Sequence, residues 1–420
     1  MSRIRPRFPG SPRPPRGPGL LLWLAGIPAL AGCGESVPSP EAGVTRFDSA
    51  GVTIVSSAAP AWGLETGWRA SETPALVIGR LDGPDELQLF DVTDATVLAD
   101  GRIAVANSGT SEIRFYDAAG EYLSRAGGEG DGPGEFRALA SIHRMDDDSI
   151  LAWDRRLLRV SVFSPDGTLA RSFRLEPPGE GVFPSLEDRF EDGSLLVSAP
   201  RLVSPADLPD DFGVVGTPFP YMRYSPEGVP EDSIDEFSRG RSLIRTQERG
   251  FSFFTIPFGP PWQVVAGRSA VYVSTGDQIE VRSPEAAWRP TAIRRRSFDT
   301  IPVTDALLDR EFGAEWEDFE NADYVRLARE AYDAMPLPEH VAAFDRLLVD
   351  PGGFLWARRY LLSGRPSAAW SVFDPQGDWL GDVALPAGLQ VYEIGDDYVL
   401  GRERDELAIE QVLMYRIEKG

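Results

Sequence analysis

Between Val92 and Gly128 apolar and polar residues alternate in four short runs, each ending in turn chemistry. Thr93-Asp94-Ala95-Thr96-Val97-Leu98 leads to a turn at Asp100-Gly101, and Ile103-Ala104-Val105-Ala106 follows. Ile113-Arg114-Phe115-Tyr116 then runs through a turn at Ala119-Gly120 into Tyr122-Leu123-Ser124-Arg125. A period of two places alternate side chains on opposite faces of a strand, and Asp-Gly and Ala-Gly pairs suit tight reversals. The unit therefore predicts a four-stranded antiparallel meander. Its first turn returns near Ser149, Gly193, Gly267, Gly353 and Asp396, at gaps of 48, 44, 74, 86 and 43 residues after Gly101. Three gaps match one propeller blade of about 40–50 residues, and the two long ones carry insertions.

Six units predict an all-β chain, a six-bladed β-propeller of four-stranded antiparallel blades. The sixth unit ends after its third strand, Val412-Leu413-Met414-Tyr415, while a spare strand, Ala75-Leu76-Val77-Ile78-Gly79, precedes the first. That N-terminal strand is expected to complete the last blade and close the ring, leaving no open sheet edge. A two-sheet sandwich is the competing arrangement, and it does not account for the regular turns. Of the two insertions, residues 201–262 are rich in proline and aromatics, including Phe251, Phe253, Phe254 and Phe258. Residues 302–346 read as helical, with Thr304 as N-cap and Tyr324, Leu327, Ala328, Ala331 and Met335 at helical spacing. A helix packed on the side or rim is preferred here over a lid across the channel.

The first 32 residues hold five arginines (Arg3, Arg5, Arg7, Arg13, Arg16) and no acid, followed by an apolar run from Leu20 to Leu30. Gly26 and Pro28 interrupt that run, which is shorter than the about 18 residues a membrane span needs. The pattern is that of a secretory signal peptide over 1–32. Residues 33–43 form a flexible tether and 44–420 the propeller. Leu30-Ala31-Gly32-Cys33 resembles the bacterial lipobox. The resemblance implies that Cys33 becomes a lipidated first residue and attaches the mature chain to a membrane. Gly34 stands where some inner-membrane lipoproteins carry an acid, so the outer membrane, its periplasmic side or the cell surface is the expected address.

Gly127-Gly128-Glu129-Gly130-Asp131-Gly132-Pro133-Gly134-Glu135-Phe136 resembles the inter-blade loop of NHL-type propellers, and Ile113 to Gly120 resembles their hairpin pattern. With Trp370-Ser371-Val372-Phe373-Asp374-Pro375-Gln376-Gly377 and Gly395-Asp396-Asp397-Tyr398-Val399-Leu400-Gly401, residues 44–420 are similar to six-bladed NHL and TolB-like lipoproteins of some soil bacteria. The likeness implies fold and envelope location; that group brings no common activity.

Composition narrows the chemistry. The 420 residues hold 65 acids against 42 basic residues, for a net charge of −23, with one lysine (Lys419) and one cysteine. So acidic a chain excludes general nucleic-acid binding. One cysteine excludes an internal disulfide framework and a Cys-based zinc cluster. Removing residues 1–32 takes five arginines and no acid, so the mature chain stands at −28.

Two histidines in separate regions, His143 on the innermost strand of blade two and His340 near Pro338, cannot build a His-based zinc site. The amidating-lyase chemistry of some NHL propellers is therefore not expected, and His143 reads as a pore or core residue. No Gly-x-Ser-x-Gly elbow occurs, so no Ser-His-Asp arrangement is expected either. Asp91, Asp94, Asn107, Asp154 and Glu187 could offer oxygens to calcium, although turn chemistry explains many of the acids. Loop 127–134 opens no helix and carries Glu129 and Asp131, which suits an inter-blade turn rather than a phosphate cradle.

Loops after second and fourth strands share one propeller face. They present Asp154-Arg155-Arg156, Arg358-Arg359-Tyr360 and Arg402-Glu403-Arg404. Arginines gathered there would clamp a carboxylate or an acidic partner, or would simply neutralise neighbouring acids as rim ion pairs. The resulting expectation is a lipid-anchored envelope propeller acting as a non-catalytic ligand- or protein-binding scaffold. It needs no cofactor. Its binding residues would be Asp154, Arg155, Arg156, Arg358, Arg359 and Arg402, and its partners an envelope protein or a small anionic ligand. The alternative is a calcium-dependent lactonase or esterase using channel carboxylates.

Overall fold

A computed structural model describes residues 43–63, 66–200, 212–247, 250–259, 263–317, 326, 330, 333–405 and 407–420. Cys33 and the stretches read from the sequence as leader and, but for Gly43, as tether lie outside them. The described residues form six antiparallel blades, each begun by an innermost strand: Val92–Val97, Leu139–Arg144, Ser185–Arg189, Gln263–Ala266, Phe344–Val349 and Gln390–Ile394. Each second strand follows its first through a tight turn and is buried along its whole length in blades one to four, as at Ile103–Asn107 and Ile150–Asp154. A central strand covered on both faces loses the alternation of an exposed one, which explains runs such as Ile103-Ala104-Val105-Ala106.

The blades are held side by side by apolar cores between neighbours. Phe115 and Ala126 of blade one meet Phe136, Ile142 and Phe163 of blade two. Leu151 and Val160 pack on Leu195 and Tyr224, and Leu196 and Tyr221 on Val271 and Val273. Tyr272 and Ile279 join Phe344 and Phe373, and Trp370 and Val383 join Val399 and Tyr415. The circle closes where Leu400 and Val412 of blade six pack on Val92, Val105 and Tyr116 of blade one. Turns before the fourth strands of blades one, two, three and five each hold a glycine at positive φ, Gly120, Gly167, Gly228 and Gly377. Gly228 has φ +87°, and a Cβ there would lie 2.8 Å from the Phe173 ring of the preceding blade.

Closure runs as the alternation predicts. Leu76–Ile78 pairs antiparallel with the third strand of blade six, Ile78 opposite Val412 and Leu76 opposite Met414. The segment before it adds something the pattern did not show. Val44–Ser49 and Val52–Ser57 form a hairpin around Ala50 and Gly51, both with positive φ, as a two-residue reversal requires. The second arm runs parallel to Pro290–Arg296 and widens blade four to six strands. The chain then crosses blade five. Trp62 donates its amide to the Leu380 carbonyl at 2.7 Å, and its ring stands where a Cβ on Gly381 would be 2.5 Å away. Trp68 stacks on Phe354 and Trp356, with the lone lysine, Lys419, 4.3 Å above its ring.

Both insertions rise from the face on which the innermost strands begin. In blade three the strands Phe212–Tyr224 and Pro230–Gln247 run on past the blade, and Gly250–Thr255, which carries Phe251, Phe253 and Phe254, pairs with the far end of Pro230–Gln247. Leu243, Phe254 and Ile256 of this extension bury Met335, while Phe258 packs on Leu307, Val341 and Leu362. Thr304 caps the helix Asp305–Glu317, its hydroxyl accepting the Leu307 amide at 3.2 Å. Tyr324, Leu327, Ala328 and Ala331 lie outside the described residues. The insertion ends at Ala343, three residues earlier than the sequence pattern places it, because Phe344 already pairs with Arg359. Asp345 and Arg346 belong to the channel wall.

A cysteine pair placed by Val77→Cys and Leu413→Cys, residues opposite each other in the closing register, tests this closure. It should oxidise spontaneously and raise the unfolding free energy by on the order of 3 kcal/mol, measured by urea titration with and without reductant. Thiols that stay free in the folded protein would contradict the register.

Candidate functional site

The six innermost strands enclose a channel of about 830 Å³. A one-residue bulge interrupts the pairing of five of them, between Val92 and Asp94, Leu139 and Ser141, Leu186 and Asp188, Phe344 and Arg346, and Val391 and Glu393. Bulges re-aim the side chains that follow them. Asp94, Ser141, Asp188, Arg346 and Glu393 accordingly occupy equivalent positions, and all five line the channel.

Three of these residues also fasten blades together. Asp94 accepts the amides of Ala95 at 2.9 Å and of Ile142, on the next blade, at 3.0 Å. Burial still pushes its carboxyl up to about 7, against these two amides, with the Glu393 charge raising it further. Asp188 repeats the device, taking the amides of Arg189 at 2.8 Å and of Ala266 at 2.9 Å, and burial raises it to about 6. Glu393 accepts hydroxyl protons from Thr96 of blade one and from Tyr398, and burial raises it too.

His143 stands two residues beyond Ser141 on the same strand. Its Nε2 lies 3.3 Å from Ser141 Oγ, and its Nδ1 lies 3.9 Å from Asp188 Oδ1. Burial, and then the Arg189 charge, lower its pKa to about 4, so the ring is neutral near pH 7. Across the channel, the Arg346 guanidinium makes no hydrogen bond or ion pair among the described residues. Burial disfavours its charge, Arg358 adds to that, and Asp94 opposes it. Nearby Asp345 is already engaged, accepting from Arg358 Nε at 2.6 Å and from the Leu361 amide at 3.0 Å.

The six residues singled out as a rim cluster are dispersed. Asp154 is buried and accepts four amides, those of Arg137, Ala138, Arg156 and Leu157, so it shapes a turn. Arg155 and Arg156 are exposed and do not line the channel. Arg359 lies 3.9 Å from Asp382 on the outer part of blade five, and Arg402 ties Gln390 and Glu410 to the Val92 carbonyl. Arg358 alone of the six lines the channel. Alternation explains the scatter, because neighbouring residues such as Arg358 and Arg359 point to opposite faces. Asp91 is exposed, and buried Asn107 takes the Phe90 amide at 2.7 Å. Asp94 and Glu187 line the channel, the latter accepting from Ser198 Oγ at 2.5 Å. Among the described residues, no three His, Cys, Asp or Glu side chains are grouped so as to hold a metal ion. His340 bridges Pro302 in the insertion, away from the channel.

Sequence reasoning missed the meeting of Ser141, His143 and Asp188. The acid comes from the next blade, 45 residues away, and no short motif joins it to the other two. The available signal was the alternation that points both Ser141 and His143 inward.

No family model and no curated protein matches the chain. Among solved structures, it is similar to a protein named as exported from Bacteroides fragilis, at 16% identity and TM-score 0.45 over 87% of this chain and 99% of that one. It is also similar to virginiamycin B lyase from Staphylococcus aureus, at 10% identity and TM-score 0.40 over 84% and 99%. A gluconolactonase from Xanthomonas campestris matches at 13% identity and TM-score 0.35 over 83% and 100%. The propeller assignment rests on strand order and inter-blade packing in this chain.

The perturbed channel groups set a pH dependence. Asp94 holds a proton in the folded state between pH 3.8 and about 7 that the unfolded chain releases, so its contribution to stability falls as pH rises through that window. Asp188 acts likewise between 3.8 and about 6, whereas His143 costs stability as pH falls from 6.5 to about 4. Asp94→Asn removes the first effect. In urea titrations the wild type should lose stability relative to the variant by up to about 1.4 kcal/mol per pH unit across that window. A difference independent of pH would show that Asp94 titrates normally.

Proposed function

We propose that the protein is an exported, lipid-anchored propeller whose channel binds a small ligand bearing a carboxylate or phosphate. Arg346 is the observation that carries this reading. Its guanidinium is half-buried in the channel wall and has no partner among the described residues, and a planar anion would satisfy it through two parallel hydrogen bonds. Asp345 cannot supply that partner, since Arg358 and the Leu361 amide occupy it. The carboxyls of Asp94 and Glu393, raised by burial, offer protons or accept hydroxyls from the rest of the ligand. A hydroxylated acid fits this combination better than a simple anion.

The address rests on the Arg-rich leader and on Cys33. No helix among the described residues is long and apolar enough to cross a membrane. Gly43 enters the fold at the outer edge of blade four, where its carbonyl accepts the Ala58 amide. Nine residues lie between it and Cys33. A mature chain at −28 is repelled by an anionic bilayer, so its own charge does not attach it and the anchor falls to Cys33.

A panel of hydroxy acids, uronates and inorganic phosphate, scanned by thermal shift, tests the binding reading. One class should raise Tm in proportion to the logarithm of its concentration, and Arg346→Gln should weaken that ligand at least 10-fold without lowering the ligand-free Tm. Equal shifts in both proteins would remove Arg346 from the site. For the anchor, Cys33→Ala should move the exported protein from the membrane to the soluble fraction, with loss of the lipid mass at Cys33. Unchanged membrane retention would refute the anchor.

A further inference from the structure

We propose that Ser141, His143 and Asp188 form an acyl-transfer relay in the channel, hydrolysing an ester or lactone of a small anionic acid. The inference rests on the anion-binding reading and names the chemistry of that same site. Ser141 and His143 alternate on Leu139–Arg144, so both side chains face the channel. The ring nitrogens are the right way round. Nε2 faces the serine hydroxyl at 3.3 Å, and Nδ1 faces the Asp188 carboxylate at 3.9 Å. With the proton on Nδ1, this orientation would aim it at the acid and leave the Nε2 lone pair for the hydroxyl. Two backbone amides fix Asp188, as an orienting carboxylate requires. Contacts of this kind are often long before substrate binds and tighten around it.

The channel supplies two further parts. Asp94 takes the amide of Ile142, the residue between Ser141 and His143, which puts a carboxyl that carries a proton near neutrality beside the nucleophile. Protonated, it is a donor for an oxyanion. Arg346 occupies the position equivalent to Ser141 on blade five, opposite blade two in a ring of six, and holds the substrate's anionic end.

In the first step Ser141 Oγ bonds to the acyl carbon as its proton passes to Nε2, and the carbonyl π pair moves to oxygen. Collapse breaks the bond to the leaving alkoxide, which takes the proton from Nε2. Water then attacks the acyl-serine, giving a proton to Nε2. The second collapse releases the acid, and Oγ recovers that proton.

The test treats detergent-solubilised full-length protein with a fluorophosphonate probe, maps the labelled peptide by mass spectrometry, and follows release of 4-nitrophenol from its hydrogen-succinate and acetate esters. Ser141 should be labelled, and Ser141→Ala should abolish both labelling and turnover. His143→Gln should lower kcat at least 100-fold at unchanged Tm. Arg346→Gln should raise KM for the succinate ester at least 10-fold more than it raises KM for the acetate. An unlabelled Ser141, or a His143→Gln protein that turns over like wild type, overturns the relay. Labelling of Ser141 with no preference for the anionic ester keeps the relay and overturns the anion-binding reading. Anion binding through Arg346 with no labelling does the reverse.

Discussion

Three residues near the beginning of the described chain, Leu76–Ile78, pair with Val412–Met414 near its end, and the channel exists because of that pairing. A propeller is a circle of sheets, each stable only because its neighbours cover both faces. Without the closing strand, Leu400, Val412 and Met414 would lose part of the core they share with Val92 and Val105, and blade six would end in an open edge. The clasp is reinforced outside the ring. The hairpin on blade four and Trp62 and Trp68 over blade five bind the same N-terminal segment to three successive blades. Closure thus depends on many weak contacts spread along some 35 residues rather than on three backbone pairs alone.

Within the ring, function and stability draw on the same side chains. Asp94, Asp188 and Glu393 join neighbouring innermost strands through hydrogen bonds, yet they also crowd partly buried acid groups into one channel. Such groups are costly to bury, and their raised pKa values express that cost. The bulge that aims them inward recurs in five strands and carries a different residue each time. The repeat supplies a ring of equivalent positions. Serine on one blade, acids on three and arginine on another make the site chemically uneven, and an uneven ring can orient a ligand.

Much of the fold was legible in the chain because it follows from local periodicity. Alternation and turn spacing located every blade and even the closing strand, and Thr304 marked a helix start that the structure retains. The hairpin Val44–Ser57 was not legible, since its partner, Pro290–Arg296, is some 240 residues away and joins it in parallel. The site was legible only in fragments. His143 was rightly placed in the channel wall, and Asp94 and Glu187 were named among many acids. Arg346 was absorbed into the helical insertion, because Asp345-Arg346 carries no mark that separates strand from helix. Adjacent pairs such as Arg358-Arg359 suggested a cluster, yet a strand divides such a pair between two faces. A site made from one residue per blade leaves no contiguous motif.

The central claim is that the channel, rather than the rim, is where this protein meets its ligand, with Arg346 and Ser141 at opposite walls. A crystal structure of the protein grown with a millimolar hydroxycarboxylate measures this most directly. The account predicts ligand density across the channel, its carboxylate paired to the Arg346 guanidinium and its far end beside Ser141 and His143. A channel filled by water alone, with the ligand seated instead on the rim at Arg155 and Arg156, would contradict it.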